Sequence, residues 1–224
     1  MTATTTEART TVTETSSIEG ALRSGRRRAR LFLGLLGATV MVTSGCSSRD
    51  QNQIRAASPS GTTPFAWFQA GPAPAGWRLM ALPAGTAVLP IPPDASPVDG
   101  DPGSVSAEMT AANGALQIYL NATPKQGEES QANWPQFRLD HLTGENAASA
   151  TLLSNRAGMP FRGGTGSCVA DSYVTRIDAH RYREIACLIA GTRGSSVLVV
   201  ASPAESWDLY SPLLEQAVDS YLAE

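Results

Sequence analysis

Few side chains in this sequence can do chemistry. The chain holds 2 His and 3 Cys, so imidazole acid–base work rests on His141 and His180, and thiol chemistry on Cys46, Cys168 and Cys187. Nucleophilic catalysis needs a Ser or Cys held against a base. Ser167 stands in the run Gly164 to Cys168, Gly-Thr-Gly-Ser-Cys, and not in the Gly-x-Ser-x-Gly turn that exposes a nucleophile between strand and helix. His141 shares the apolar face of a short predicted helix with Trp134, Phe137 and Leu142, where a hydrogen-bonded boundary role is the simpler reading, and His180 falls in a turn beside Arg181. The amides of Gly163 to Gly166 could cup an anion, but phosphate loops open a helix and carry a Lys. Structural zinc takes four Cys or His ligands, which are too scattered here. Asp94, Asp99 and Asp101 lack the Gly and Glu positions of a calcium loop and read as turn formers. Asp171, Arg181, Arg183 and Glu184 lie along a predicted hairpin and read as cross-strand pairs on a solvated face. No catalytic residue, cofactor or metal is assigned.

The chemistry the sequence does specify is covalent, and it sits at Cys46. Arg23, Arg26, Arg27, Arg28 and Arg30 precede an apolar run from Leu31 to Thr43, which ends at Ser44, Gly45 and Cys46. That run is shorter than the roughly 20 apolar residues of a membrane span and fits the h-region of a signal peptide. The junction resembles the bacterial lipobox, with Thr43 where the pattern carries Leu. The resemblance implies cleavage before Cys46, diacylation of its sulfur, and a protein held by its acyl chains on the extracytoplasmic side of the cell membrane. Residues 1–45 are then the signal, preceded by a Thr, Ala and Glu-rich extension. Residues 46–75 form a Ser, Gln, Ala, Gly and Pro-rich tether, and residues 76–224 form a single domain. Phe65, Trp67 and Phe68 interrupt the tether; they either dock on the domain or sit at the membrane interface. Residues 1–45 contribute +3 to the total charge of −3, leaving −6. No basic stripe remains for neutralising phosphates, so nucleic acid is not an expected partner.

The elements follow from pattern and punctuation. Trp77 to Leu82 and Thr86 to Ile91 read as a strand pair, and the Pro-rich Pro92 to Gly103 as an exposed loop. Ser104 to Ala111 and Ala115 to Asn121 flank Asn113-Gly114, a strong hairpin signal. Asn133 to Gly144 reads as a helix with Asn133 as its cap and Pro135 in its first turn. Ala148 to Leu153 and Gly158 to Phe161 look like strand fragments. Ser167 to Thr175, Arg181 to Ala190 and Ser195 to Ser202 then form a meander whose last member, continuously apolar, is expected to be central. Ser202 to Glu205 reads as a capping box opening the last helix, which Pro212 is expected to kink or split. If the meander's first two strands pair symmetrically about Ile177 and Asp178, opposed positions total 355. Cys168 and Cys187 satisfy that condition, are an even pair in an oxidising compartment, and are expected to form a disulfide.

This plan is α+β, an antiparallel sheet covered by helices. The runs Tyr119 to Pro124, Gly163 to Tyr173 and Tyr182 to Leu188, with the helix at Trp134 to Leu142 and the terminal helix, resemble small actinobacterial lipoproteins with a PsbP-like α/β/α sandwich. The resemblance covers Gly76 to Glu224. It implies the fold, carries no catalytic motif, and suggests by analogy recognition of another protein at a membrane surface. The resulting expectation is a non-enzymatic envelope lipoprotein that binds a protein, lipid or glycan partner. The alternative is an envelope hydrolase or transferase, which a deep pocket with convergent His and acidic groups would favour.

Overall fold

The computed structural model describes residues 63–224. The signal segment, Cys46 and the first part of the tether lie outside the described residues. Ten strands and two helices follow in order: β1 (Arg78–Ala81), β2 (Ala87–Ile91), β3 (Ser96–Val98), β4 (Val105–Thr110), β5 (Leu116–Pro124), α1 (Trp134–Glu145), β6 (Ala147–Phe161), β7 (Gly164–Thr175), β8 (Arg181–Gly191), β9 (Ser195–Pro203), α2 (Trp207–Ser220) and β10 (Leu222–Ala223). Seven strands form an antiparallel sheet in the order β3-β4-β5-β9-β8-β7-β6, with β9 in the middle as its apolar run implies. β1, β2 and β10 form a second, smaller sheet.

Alternation along the strands splits the core in two. One face of the large sheet, carrying Ile118, Leu120, Ile185, Cys187, Leu198 and Val200, packs against β2 and against Leu214, Ala217 and Val218 of α2. The other face buries Val169, Ala186, Leu188, Val197 and Val199 under Trp134 of α1. Period-2 strands sort their side chains in this way whenever both faces are covered. The result is a helix, a sheet, and then a helix with a small sheet.

The β4–β5 hairpin turns at Asn113 and Gly114. Gly114 takes φ +80°, which a side chain would resist, and Asn113 Oδ1 accepts the Ala115 amide at 3.1 Å. The long hairpin pairs β7 with β8 in the register that totals 355, from Gly164 opposite Gly191 to Val174 opposite Arg181.

Several expectations change. The Pro-rich loop contains the edge strand β3, whose Pro97 sits where no further strand needs its missing amide. The two fragments at 148–161 are one strand, β6, whose register slips at three places against β7; those irregularities broke its alternation in the sequence. Asn133 stands at the N-cap of α1 as expected, but its side chain makes no cap bond, because its Oδ1 accepts the Ser130 amide at 2.6 Å and closes the preceding loop. Gly144 lies within α1, which ends one residue later. Ser202 and Pro203 finish β9, a 3-10 turn follows at Ala204–Ser206, and α2 starts at Trp207. Pro212 lies in its second turn without dividing it. The terminal strand β10 carried no alternation long enough to be read.

The aromatic residues of the tether dock on the domain. Phe65 is buried, Phe68 packs 4.9 Å from Phe161, and Gln69 and Gly71 donate amides to Asp219 at the end of α2. The folded part therefore takes in residues that composition assigns to the tether.

Candidate functional site

Cys168 and Cys187 meet across β7 and β8 with Cα atoms 4.1 Å apart and are joined as a disulfide, fully buried on the α2 side of the sheet. This cross-link lies in the core and faces no cleft. His141 stacks on Phe137 at 6.3 Å, and its Nε2 lies 3.5 Å from Glu145 on the outer side of α1. Burial and the nearby Arg138 cation hold its pKa below the usual imidazole value. His180 lies in the exposed β7–β8 turn, where its amide donates to the Thr175 hydroxyl at 3.0 Å. Neither imidazole hydrogen-bonds a Ser or Cys among the described residues. Ser167 is buried within β7.

The glycine run is not an anion cup. Gly164 and Gly166 belong to β7, where a Cβ on Gly164 would meet the Ala190 carbonyl and one on Gly166 the Phe161 ring. Gly163 takes φ +77°, with its Cα facing the carbonyl of Ala223. Gly163 and Gly164 let β10 cross the end of β7 and β8 at backbone distance.

The pairing of Asp171 and Glu184 follows the expected register, but their solvated placement does not. They face α1 and are fully buried. Arg138, one helical turn after Trp134 and one before Leu142, reaches down from α1 so that its Nε donates to Glu184 Oε1 at 2.7 Å. Burial opposes the guanidinium charge, yet Glu184 outweighs it and the Arg138 pKa is raised. No donor reaches either Asp171 oxygen. Burial and the neighbouring Glu184 carboxylate push its pKa up to about 9, so at neutral pH it is an acid whose proton can be given to Glu184. Burial, followed by Glu184, also raises the pKa of Tyr173, whose ring stacks on Tyr182 at 5.5 Å. The cluster is internal, roofed by α1, and joins helix to sheet. Helical spacing and hairpin register together could have located it, since Trp134, Arg138 and Leu142 lie four apart and 171 and 184 total 355.

An open concavity lies on the other face, where α2 and the aromatic segment leave one end of the sheet uncovered. It is a shallow cleft of about 400 Å³. Register builds it from two cross-strand rows: Thr151, Ser172 and Arg183, and beside them Ser149, Val174 and Arg181. Leu153 lies at its edge and Ala204 closes it toward α2. Arg183 lies over the Trp207 ring at 4.9 Å, and its Nε is buried without a hydrogen-bond partner. Arg181 is exposed. The sequence places both arginines in cross-strand pairs along the hairpin, and the residues opposite them are Ser172 for Arg183 and Val174 for Arg181.

No protein-family model and no curated protein sequence matches the chain. Among solved structures, the cyanobacterial PsbP protein CyanoP of Synechocystis sp. PCC 6803 superposes with a TM-score of 0.50 at 10% identity, covering 74% of this chain and 99% of its own. The fold is PsbP-like. A Pseudomonas aeruginosa protein of unknown function aligns over 64% of this chain and 94% of its own at 12% identity and a TM-score of 0.42. LpqN of Mycobacterium tuberculosis, described as involved in cell envelope biogenesis, aligns over 67% of this chain and 80% of its own at 13% identity and a TM-score of 0.29. At such identities the likeness extends to architecture only. On this PsbP-like scaffold the arginine cleft is therefore argued from its own residues.

Proposed function

We propose that this is an exported lipoprotein, anchored through Cys46, whose PsbP-like domain serves the cell envelope as a non-enzymatic binding module. The observation that carries the reading is the segregation of charge. The two carboxyl groups of the charge cluster, Asp171 and Glu184, are enclosed beneath α1, whereas the open cleft is lined by arginines, hydroxyls, Tyr173 and Tyr182 with no lining carboxylate or imidazole. Such a lining recognises and holds; it offers no base to activate a nucleophile. The anchor supports the same reading by confining the domain. Sixteen residues lie between Cys46 and Thr63, so over the seventeen steps, at about 3.3–3.6 Å each, the folded part reaches at most roughly 60 Å from its acyl chains. A partner met at the cleft is then a membrane lipid, an envelope glycan or a protein close to the membrane.

Photocrosslinking in intact cells tests this. A benzophenone side chain placed at Thr151 on the cleft and, separately, at Gln136 on the outer side of α1 should give adducts from the first position only. The Thr151 adducts should fall sharply in a Cys46→Ala background. Equal adducts from both positions, or none from Thr151, would overturn the reading.

A further inference from the structure

We propose that the cleft at the open end of β6, β7 and β8 binds a phosphate group borne on a hydroxylated carrier, gripped between Arg181 and Arg183. The inference deepens the binding-module reading and rests on it for the site. Three observations carry it.

Charge is the first. The described residues hold sixteen acidic and nine basic side chains, yet two of those nine cations line this one cleft and no carboxylate does. Glu205 lies close enough to Tyr182 to act on it, and so marks the rim. In an acidic domain this local inversion favours an anion and disfavours a cation.

The second is a fixed guanidinium. Arg183 is held over the Trp207 ring at 4.9 Å, which sets the guanidinium plane, and its Nε–H is buried with no acceptor in the protein. An oxyanion in the cleft therefore meets the two terminal nitrogens, which match phosphate oxygens two at a time.

Spacing is the third. Arg181 and Arg183 are alternate residues of β8, on one face and about 7 Å apart along the strand. Two guanidinium groups at that spacing can close on one tetrahedral group with three free oxygens, whereas a single fork suffices for a planar carboxylate. Ser149, Thr151 and Ser172 form the opposite wall, where hydroxyls that both donate and accept suit the hydroxyls of a sugar or glycerol carrier. The half-exposed Leu153 gives the carrier an apolar flank. The openness of the cleft fits a headgroup at the tip of a larger molecule better than an engulfed metabolite.

Glucose 6-phosphate and glucose are titrated calorimetrically against the unacylated chain of residues 46–224, and vesicles of phosphatidylglycerol or phosphatidylcholine are tested by flotation with that same chain, so that no acyl anchor carries it to lipid. The expected result is binding of glucose 6-phosphate, of phosphatidylglycerol vesicles, or of both, without binding of glucose or phosphatidylcholine. The responding arm identifies a sugar phosphate or a lipid as the source. Arg181→Ala, whose side chain is exposed, should leave the thermal transition unchanged and weaken binding about tenfold or more. Arg183→Lys should weaken it as well, because charge without the fork is not equivalent. Failure of both phosphate probes, or binding unchanged in both variants, would overturn the proposal. Crosslinking from Thr151 in cells with no phosphate binding in vitro would sink this inference alone and leave the module reading standing.

Discussion

Asp171 and Glu184 stand directly opposite each other on β7 and β8, both buried, and the Arg138 guanidinium of α1 bonds only Glu184. Two facing carboxylates repel unless one keeps its proton. Here Asp171 keeps it, and the pair with its arginine becomes the joint between α1 and the sheet.

The first expectation concerns pH. Asp171 has its folded pKa raised to about 9, so its favourable contribution is complete below the ordinary carboxylate range and is lost as pH rises toward about 9. Asp171→Asn replaces the protonated form with a permanent neutral donor. Its melting temperature should therefore exceed that of the wild type by a margin that widens from pH 5 to pH 9. A margin that stays constant or shrinks over that range would contradict the neutral-acid assignment.

Breaking the ion pair from one side should be far worse than removing it entirely. Arg138→Met leaves Glu184 buried without its cation, which costs about 3–5 kcal/mol in comparable sites. Arg138→Met combined with Glu184→Gln should recover a large part of that loss, and a double-mutant cycle in urea measures the coupling. Strict additivity would mean that the two side chains do not act as a pair.

Trp134 is a further attachment of α1. Its ring is buried and its Nε1–H donates to the Ala186 carbonyl at 2.9 Å. Trp134→Phe should cost about 1–3 kcal/mol, mostly from the orphaned carbonyl, and Trp134→Ala about 3–5 kcal/mol. Denaturant midpoints separate the two.

The Cys168–Cys187 cross-link encloses a loop of sequence separation 19, worth roughly 3 kcal/mol in the chain-entropy treatment. Alkylation of the denatured, unreduced protein should label neither thiol, and Cys168→Ala with Cys187→Ala should lower the melting temperature. Full labelling at either position would exclude the bond.

The strongest features of this fold were readable because the sequence patterns are short-range. Asn113-Gly114 specifies a hairpin by backbone sterics alone, and the β7–β8 register follows from a five-residue turn. The continuous apolar run of β9 marks a strand covered on both faces. Features missed involve partners far apart in the chain. β10 is two residues long and forms only because Gly163 and Gly164 leave room for it. Arg138 looks like a surface residue until α1 is laid over β7 and β8. The cleft is defined by what α2 leaves uncovered, and no local pattern encodes that. The turn register already sets Arg181 opposite Val174 and Arg183 opposite Ser172, but the third strand of the cleft, β6, depends on the slipped β6–β7 pairing.

The proposed function rests on anchoring through Cys46, and the mass of the intact protein extracted from membranes tests that anchoring without intermediaries. The expected mass is that of residues 46–224 with a diacylglyceryl group on Cys46, shifting to an unprocessed, unacylated chain in Cys46→Ala. A wild-type protein recovered from the cytosol at the unmodified mass of all 224 residues would contradict the lipoprotein reading and the function proposed from it.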